Sequence, residues 1–394
     1  MAAAFYGMQP AHVVAVTGTD GKTSTADFFR QFAHLCGHAS ASIGTLGVIA
    51  GDGKTLHEGT HTTPDAIALH EMLTDLARRG ITHACLEASS HGLDQYRLHG
   101  VRLQAAAFTN IARDHLDYHE TEQKYFEAKV KLFSEILPVG GVAVINADDK
   151  RAGELQKICA ARKHTLVDFG RKAESLKLLS LTPHMHGQQM RCRLFGIEYD
   201  VNIPLVGAFQ AMNILAAIGL AQATGVAVAD MVAAIPKLQG VPGRLQLAAT
   251  RDNGAAIYVD YAHTPAALAN VLTTLRAHTK NKLHVVFGCG GNRDAGKRPE
   301  MGKVACELAD HVIVTDDNPR NEDPATIRAA IMTACGKAHE IAERSKAVYA
   351  AVQALDAGDI LVIAGKGHEK TQIIGNVEHP HDDVEVAKEA VKTA

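Results

Sequence analysis

Short apolar runs alternate with longer segments of helical periodicity in the first part of the chain. The runs contain four or five mainly apolar residues, which is typical of buried strands, and apolar residues recur every three or four positions in the segments between them. The predicted strands are His12–Val16, His83–Leu86, Ala105–Phe108 and Gly141–Ile145, and the helical patterns are Thr25–His34, Pro64–Arg79 and Thr121–Leu137. This alternation predicts a parallel sheet with helices on both faces.

The pattern changes after residue 164 and is restored after residue 243. Three β-rich pieces predict a small antiparallel patch, and a helical pattern follows them: Leu176–Leu181, Met190–Leu194, Tyr199–Ile203 and then Phe209–Ala223. The glycine- and proline-rich cluster Gly240–Arg244 indicates a domain boundary. The predicted domains are therefore residues 1–240 and residues 241–394.

The second predicted domain alternates strands and helices again. Its predicted strands are Ala256–Val259, Leu283–Phe287, Val312–Thr315 and Ile360–Ala364, and its predicted helices are Ala266–His278, Pro299–Ala309, Ala325–Cys335 and Val384–Thr393. This order predicts a second doubly wound, Rossmann-like α/β domain. The fold class is therefore α/β in both halves of the chain.

A glycine-rich turn follows the first predicted strand and reads T-G-T-D-G-K-T-S over residues 17–24. Glycines in such a turn allow backbone N–H groups to close around an anion. Lys22 would face the β- and γ-phosphates, and the Thr23 hydroxyl would bind Mg²⁺. The remaining predicted cradle residues are Gly18, Thr19, Asp20, Gly21 and Ser24. The turn is about two residues shorter than the common G-x-x-x-x-G-K-[ST] form, but its position predicts a nucleoside triphosphate as a ligand.

Composition and charge favour small-molecule partners. The chain has 394 residues, with 40 basic and 43 acidic side chains, so it has no strong field for nucleic acid. No apolar stretch is long enough to span a membrane, and the first residues do not have the pattern of a signal peptide. The seven cysteines are scattered singly, which is typical of a reducing cytoplasm. The oligomeric state stays open, with a monomer as the simplest expectation.

Several polar residues follow predicted strands in the first domain, and each has a functional and a structural interpretation. Glu87 at a strand end is a natural Mg²⁺ ligand or simply a solvated carboxylate. His115, in the donor-rich segment 109–117, could complete a metal shell, or the segment could cap the next helix. Thr63 and Pro64 are typical of a helix start, with Thr63 as N-cap. Lys129 would ordinarily be a solvated helical lysine.

Three polar loops follow predicted strands in the second domain. They are Gly288–Asp294, Asp317–Arg320 and Gly365–Glu369. Loops at the carboxyl ends of parallel strands tend to line one crevice, although three unrelated surface turns would give the same pattern. Arg293 or Arg320 beside Glu369 would suit a zwitterion such as an amino acid.

Taken together, the chain resembles the Mur ligase family, which builds the peptide stem of the bacterial cell wall. The matching motifs occur in order from about residue 4 to the C-terminus: T-G-T-D-G-K-T, T-T-P, E-A-S-S-H-G-L-D-Q, T-N-I-A-R-D-H-L-D-Y-H, V-P-G-R-L-Q, D-Y-A-H-T-P, G-C-G-G-N-R-D-x-G-K-R-P-x-M and G-K-G-H-E. The resemblance is strongest to the branch that adds meso-diaminopimelate to UDP-N-acetylmuramoyl-alanyl-glutamate, for which D-N-P-R at Asp317–Arg320 looks like a signature.

The resemblance implies roles for individual residues. Lys129 falls where the family carries a carbamylated lysine that helps to hold the second of two Mg²⁺ ions, and Glu87 and His115 fall on metal-binding positions. Lys22, Lys129 and His115 are the implied catalytic residues. The implied nucleotide contacts are Asn213, Arg244 and Asp260. The implied acceptor-binding residues are Thr62, Thr63, Ser89 and Arg97. The implied diaminopimelate-binding residues are Arg293, Asp317, Asn318, Arg320, Gly365 and Glu369.

The chemistry implied by the resemblance is amide-bond formation through an acyl phosphate. ATP would phosphorylate a glutamyl-type carboxylate, and the amine of a diamino acid would displace the phosphate. Two alternatives stay open. One is a related ligase with another amine, as in folylpolyglutamate or cyanophycin-type enzymes. The other is a non-catalytic ATP-binding partner subunit.

The sequence also departs from the family pattern. Full-length relatives carry an N-terminal domain that binds the UDP of the precursor, and this sequence begins near the point where that domain would end. The sequence is either a piece of a longer protein or a natural short form. A natural short form is expected to bind UDP poorly, and its acceptor could be a free peptide or another small carboxylate. Smaller departures are Asp20 in the phosphate loop, Gln210, Gln246 and Asn292. None of them removes an implied catalytic group.

Overall fold

The computed structural model describes residues 2–59, 61–112 and 114–394 of the chain. They form two compact units. The first contains the described residues up to Leu181, Gln189–Ile203 and Ala208–Leu238, and the second contains Thr182–Gln188, Pro204–Gly207 and Gln239–Ala394. Among the described helices, none combines the length and the apolar character needed to cross a membrane.

The first sheet is built mainly from the apolar runs of the first part of the chain. Its strands are β1 His12–Thr17, β2 Ser40–Gly44, β3 Gly47–Ala50, β4 Thr55–His57, β5 His83–Glu87, β6 Ala105–Phe108, β7 Val142–Asn146, β8 Thr165–Gly170, β9 Leu176–His184, β10 Gly187–Leu194 and β11 Ile197–Ile203. Their order is β11-β10-β9-β8-β7-β6-β1-β5-β2-β3-β4. The strands from β8 to β2 pair in parallel, as predicted.

Helices cover this sheet because their apolar faces pack on it. They are α1 Ala2–Tyr6, α2 Lys22–Leu35, α3 Ala66–Arg78, α4 Ser90–Asp94, α5 Leu116–His119, α6 Glu122–Lys131, α7 Ala152–Ala161, α8 Ala208–Ala223 and α9 Val228–Ala234, with a π-helical turn at Leu132–Ile136 and a 3₁₀ turn at Ile235–Lys237. Helix α8 is buried along most of its length. A helix that is apolar on nearly all sides is typical of an element inside a core.

The second sheet has a parallel centre and one antiparallel edge strand. Its strands are β12 Gln246–Thr250, β13 Ala256–Asp260, β14 Leu283–Phe287, β15 His311–Val314, β16 His339–Glu340 and β17 Ile360–Ala364. Their order is β12-β13-β17-β14-β15-β16, and β12 pairs antiparallel with β13. The helices are α10 Pro265–Arg276, α11 Lys297–Leu308, α12 Pro324–Met332, α13 Arg344–Gln353 and α14 Asp383–Lys392. A separate antiparallel hairpin pairs β18 Thr371–Ile374 with β19 Val377–Pro380.

The predicted α/β fold is confirmed, with corrections in its details. The antiparallel edge β2–β3–β4 was not predicted, and neither were helices α7 and α13 nor the β18–β19 hairpin. The prediction of Thr63 as a helix N-cap is wrong. Helix α3 begins at Ala66, because the Asp65 carboxylate accepts hydrogen bonds from the backbone N–H groups of Ile67 and Ala68.

A stack of three histidine rings lies near the amino ends of β1 and β5. The buried His83 ring lies 4.5 Å from the His12 ring and 4.4 Å from the His38 ring, between ring centroids. Phe29 and the hydroxyl of Thr82 also contact His83. Burial, together with the two neighbouring histidines, lowers the pKa of His83 from 6.5 to about 4.

This stack predicts a loss of stability in weak acid. Between pH 6.5 and pH 4 the unfolded chain binds a proton at His83 that the folded chain does not, so stability is lost as the pH falls through this range. The free energy of unfolding should fall by about 2 kcal/mol between pH 7.5 and pH 5.0 because of this residue. Urea unfolding at both pH values measures the effect. In the His83→Asn variant, the free energy of unfolding should fall by about 2 kcal/mol less than in the wild type over the same pH range. An equal pH dependence of the free energy of unfolding in the variant and the wild type would contradict the prediction.

Candidate functional site

The order of the first sheet brings three polar loops to one edge. Strand β1 lies between β5 and β6 and pairs in parallel with both. The loops that follow these strands therefore meet at their carboxyl ends, where ligands bind in sheets of this kind. The phosphate loop follows β1, Glu87 ends β5, and Thr109 and Asn110 follow β6.

The phosphate loop has room only for glycine at two positions. Gly18 has φ 150°, and a Cβ atom there would lie 1.9 Å from Oγ1 of Thr109. Gly21 has φ 83°, and a Cβ atom there would lie 2.3 Å from Oδ1 of Asn213. Because both sites exclude a side chain, the backbone of the loop can approach a bound anion closely.

The loop that follows β6 holds the phosphate loop through hydrogen bonds to the backbone of the phosphate loop. Thr19 N donates to the Asn110 carbonyl at 2.9 Å, and Asp20 N donates to Oδ1 of Asn110 at 3.0 Å. The Thr109 hydroxyl donates to the Asp20 carbonyl at 2.6 Å. The predicted donor-rich segment 109–117 therefore braces the cradle, although its Arg113 lies outside the described residues.

Lys22 begins helix α2 and turns its amine back over the loop. Its Nζ donates to the carbonyl oxygens of Gly18 at 3.0 Å and Thr19 at 2.8 Å. Burial lowers the pKa of Lys22, while the carboxylates of Glu87 and Asp20 oppose this shift. A cation at the N-terminus of a helix, above a glycine turn, is suited to bind phosphate oxygens.

Glu87 is 2% exposed and is held by two threonines. Its Oε2 accepts a hydrogen bond from the Thr23 hydroxyl at 2.8 Å, and its Oε1 accepts one from Thr45 N at 2.8 Å. Burial raises the pKa of Glu87, and the nearby Lys22 opposes that rise. Thr23 and Glu87 therefore present two hard oxygen donors next to the phosphate cradle, which is the chemistry that Mg²⁺ prefers.

Lys129 is not a solvated helical lysine, so the prediction from pattern alone is wrong. It is 1% exposed, and its Nζ donates to the Gly18 carbonyl at 2.7 Å. The amine also lies 4.3 Å from the centroid of the Tyr125 ring. Burial lowers the pKa of Lys129 well below its usual value, and the charge of Lys22 adds to this shift. Two lysine amines therefore contact the same loop carbonyl.

His115 lies in the same region but is exposed. It has φ 50°, and its ring centroid lies 4.9 Å from that of His91 and 6.1 Å from that of Tyr125. In the described part of the chain, no three or more His, Cys, Asp and Glu side chains are grouped so that they could hold a metal ion. A metal site here would therefore need oxygen donors of other kinds, such as Thr23 or a modified Lys129.

The implied acceptor-binding residues form one hydrogen-bonded group. The Thr63 hydroxyl donates to the backbone carbonyl of Glu87 at 2.7 Å and lies 2.9 Å from the Ser89 hydroxyl. Arg97 Nη1 donates to the Thr63 carbonyl at 2.6 Å. The Thr62 hydroxyl lies 3.0 Å from the Thr45 hydroxyl, which itself contacts Glu87. This polar group is therefore continuous with the carboxylate of Glu87.

The second unit collects most of the implied amino-acid-binding residues at the carboxyl ends of β14, β15 and β17. Nδ2 of Asn318 donates to Oε2 of Glu369 at 3.0 Å. Arg320 Nη1 donates to the Gly291 carbonyl at 2.9 Å. A Cβ atom on Gly365 would lie 2.6 Å from Oδ2 of Asp317. Arg293, in contrast, is exposed on the glycine-rich loop.

The implied nucleotide contacts of the second unit also lie together. Asp260 Oδ2 accepts from Leu245 N at 2.7 Å, and burial raises the pKa of Asp260. The guanidinium of Arg244 lies 5.3 Å from the centroid of the Tyr261 ring. An arginine against an aromatic ring forms a flat, cationic surface that suits a planar or anionic group.

Several residues of these sites were not assigned a role from the sequence. Thr45 contacts Glu87, Tyr125 covers Lys129, and Lys366 contacts both Asn318 and Glu369. Lys366 stands inside the G-K-G-H-E motif, so a signal for it was present. Thr45 follows a short strand of mainly small residues, whose periodic signal is weak.

The fold and the two sites define a nucleotide-dependent enzyme with a phosphate loop in one α/β unit and a second polar pocket in the other. The sequence matches the Mur ligase middle domain over residues 16–221 and the family described as Mur ligase, glutamate ligase domain, over residues 243–367. The chain belongs to the Mur ligase family, and the predicted class, an ATP-dependent ligase, is thereby confirmed.

Curated relatives cover almost the whole chain. A UDP-N-acetylmuramoyl-L-alanyl-D-glutamate–2,6-diaminopimelate ligase of Mesorhizobium japonicum is 50% identical over 99% of this chain and 80% of its own length. The ligase of the same name from Agrobacterium fabrum is 51% identical over 99% of this chain and 79% of its own length. A solved structure of a ligase of this name has a TM-score of 0.77 and 39% identity, and it covers 98% of this chain and 79% of its own.

A more distant structure shares the fold alone. Folylpolyglutamate synthase of Mycobacterium tuberculosis, solved with ADP, has a TM-score of 0.69 and 17% identity, with 92% of this chain and 90% of its own covered. The predicted architecture of two α/β domains is therefore shared with ligases of different substrates.

Proposed function

We propose that this protein joins meso-diaminopimelate, or a similar diamino acid, to a glutamyl-type carboxylate at the expense of ATP. The observation that carries the proposal is the convergence of Lys22 and Lys129 on the Gly18 carbonyl of the phosphate loop, next to the Thr23–Glu87 pair. The substrates are those named by relatives that are half identical to this chain. We assign ATP and acceptor binding to residues 1–240 and amino-acid binding to residues 241–394.

A carboxylate reacts poorly with an amine, and the proposed reaction overcomes this by activating the carboxylate. A carboxylate oxygen attacks the γ-phosphorus of ATP, ADP leaves, and the acid becomes an acyl phosphate. The neutral amine then attacks the acyl carbon, phosphate leaves, and the amine loses a proton as the amide forms. The contribution of Lys22 is to hold the phosphates and to neutralise charge that develops during transfer.

We propose that the first unit holds two Mg²⁺ ions. Thr23 and Glu87 would hold one ion, and His115 with a carbamylated Lys129 would hold the other. When bound, the ions would neutralise phosphate charge and orient the oxygens of the reacting groups. Lys129 suits carbamylation because its lowered pKa favours the neutral amine, and only a neutral amine attacks CO₂.

The remaining assignments are those implied by the resemblance to the family. We assign the loop residues Gly18, Thr19, Asp20, Gly21 and Ser24, with Asn213, Arg244 and Asp260, to the nucleotide. Thr62, Thr63, Ser89 and Arg97 are assigned to the acceptor, and the loops that carry Arg293, Asp317, Asn318, Arg320, Gly365 and Glu369 to the diamino acid. The free thiols agree with action in the cytoplasm.

The experiment that tests this proposal is an ADP-release assay with a matrix of substrates. Release should require ATP, Mg²⁺, a γ-glutamyl acceptor and meso-diaminopimelate together, and it should fall to background when either the acceptor or the amine is omitted. The acceptor should be offered with and without the UDP-linked sugar. Comparison of the two forms shows whether the acid substrate is nucleotide-linked or a free peptide. ADP release that is independent of every amine would contradict the proposal.

Replacement of diaminopimelate by lysine or glutamate is the matched control for the amine. A clear preference for lysine or glutamate would favour a related ligase with another amine. Absence of turnover with every pair of substrates would favour a non-catalytic ATP-binding subunit.

A further inference from the structure

Lys366 is a fully buried cation at the centre of the polar pocket of the second unit. Its side chain is 0% exposed, and it follows strand β17 by two residues. Its Nζ donates to Oδ1 of Asn318 at 2.8 Å and to Oε2 of Glu369 at 3.3 Å. Burial of an ammonium group costs free energy unless it is paired, so these contacts are needed to keep the charge in place.

The contacts of Lys366 fix the orientation of the Asn318 amide. Oδ1 of Asn318 accepts from Lys366 Nζ and also from Ile373 N at 2.9 Å. Both partners are donors, so the atom that faces them must be the amide oxygen. The amide nitrogen therefore points to Oε2 of Glu369, to which it donates at 3.0 Å.

The same contacts fix the carboxylate of Glu369. Its Oε2 receives hydrogen bonds from both Lys366 and Asn318. Within the described residues, its Oε1 forms no hydrogen bond to the protein. About one third of the Glu369 side chain is exposed. One carboxylate oxygen is therefore held by the protein, while the other is left to a ligand.

We infer that Lys366 is a positioning residue for the amine substrate, and this inference rests on the proposed function. It acts through Asn318 and Glu369, which it holds in one arrangement before the substrate binds. Without its charge, the Asn318 oxygen keeps only one of its two donors, Ile373 N, and the Glu369 carboxylate can swing toward water. The side chains of Asn318 and Glu369 must then be ordered when the diamino acid binds, and this ordering reduces the net free energy of binding.

The expected effect follows from the strength of hydrogen bonds to charged groups. In Lys366→Met, which keeps the length of the side chain but not its charge, the KM for meso-diaminopimelate should rise about 10- to 100-fold. The KM for ATP should stay within about twofold, because the side chain of Lys366 contacts Asn318 and Glu369, neither of which is assigned to the nucleotide. Steady-state ADP release in the full-length protein measures both constants.

A matched control is Lys370→Met, which makes the same chemical change four residues later at an exposed position. It should leave both KM values unchanged. Circular dichroism verifies folding of each variant. If Lys366→Met does not fold, Lys366→Gln, which keeps a donor toward Asn318, is measured in the same assay, with a rise of about tenfold expected.

The outcomes separate this inference from the proposed function. A wild-type protein that does not use meso-diaminopimelate would overturn both. An active wild type whose Lys366 variant keeps its KM for diaminopimelate within twofold would overturn only the role of Lys366. An equal rise in the KM values for ATP and diaminopimelate would indicate a general structural defect and would also overturn it. A selective rise for diaminopimelate supports the inference.

Discussion

Replacement of Lys22 by methionine should reduce ATP-dependent turnover about 10³-fold. The amine of Lys22 lies over the phosphate loop, where it contacts the carbonyl oxygens of Gly18 and Thr19. Methionine fills similar space but cannot bind a phosphate oxygen or neutralise its charge. The loss should appear both in the affinity for ATP and in the rate of ADP release, which equilibrium binding and a coupled assay measure separately.

The matched control for this variant is Lys54→Met. The Lys54 side chain lies in the same unit and is 80% exposed, with Asp52 as its partner at 2.9 Å. An exposed ion pair contributes little to stability or function, so Lys54→Met should keep wild-type rates. If Lys22→Met keeps its rate within about threefold of the wild type, the phosphate loop does not have the role assigned to it.

Replacement of Lys129 by methionine should also reduce turnover by about 10²- to 10³-fold, because it removes the site of the proposed carbamate. The wild-type protein should in addition depend on dissolved CO₂. Burial lowers the pKa of Lys129, which favours the neutral form of the amine that can attack CO₂. In the proposed modification the amine nitrogen bonds to the carbon of CO₂ and loses a proton, and a carbamate anion forms. The modification would thereby place an anion that can bind Mg²⁺ beside Lys22.

Two measurements test the carbamate. Wild-type turnover should fall in buffer freed of CO₂ and return when bicarbonate is added, whereas Lys129→Met should respond to neither treatment. With ¹³C-bicarbonate, a carbamate signal should appear in the NMR spectrum of the wild type and of Lys124→Met, an exposed site on the same helix. A wild type with full activity and no such signal would refute the proposed modification.

Much of the fold could be predicted because the apolar runs of the parallel strands are short, buried and separated by clear helical patterns. Strands β1, β5, β6 and β7 were predicted to within a residue or two at their ends. The edge β2–β3–β4 was missed because its first strand, Ser40–Gly44, consists mainly of small residues, so that its alternation of polar and apolar positions is a weak signal. The small size is required there, since a Cβ atom on Gly44 would lie 2.0 Å from Oε1 of Glu87.

Site residues could be predicted where they belong to a sequence motif. They could not be predicted from the sequence pattern where their role depends on burial in the folded protein. The glycine-rich loop is readable from its residues alone, and β1, β5 and β6 bring Lys22 and Glu87 to one edge. The burial of Lys129 depends on Tyr125 and on the carbonyl of Gly18, which is 111 residues away in the chain. No local pattern reports such a contact, so only the resemblance to a family indicated that Lys129 is special.

The β18–β19 hairpin has a consequence for the order in which the protein matures on the ribosome. The backbone of Arg320 binds that hairpin on both sides, through Ile373 O at 3.1 Å and Gly375 N at 2.8 Å. The segment that carries Asn318 and Arg320 is thus shaped by residues synthesised more than fifty positions later. A nascent chain therefore cannot complete this amino-acid site until residues 373–375 have been synthesised.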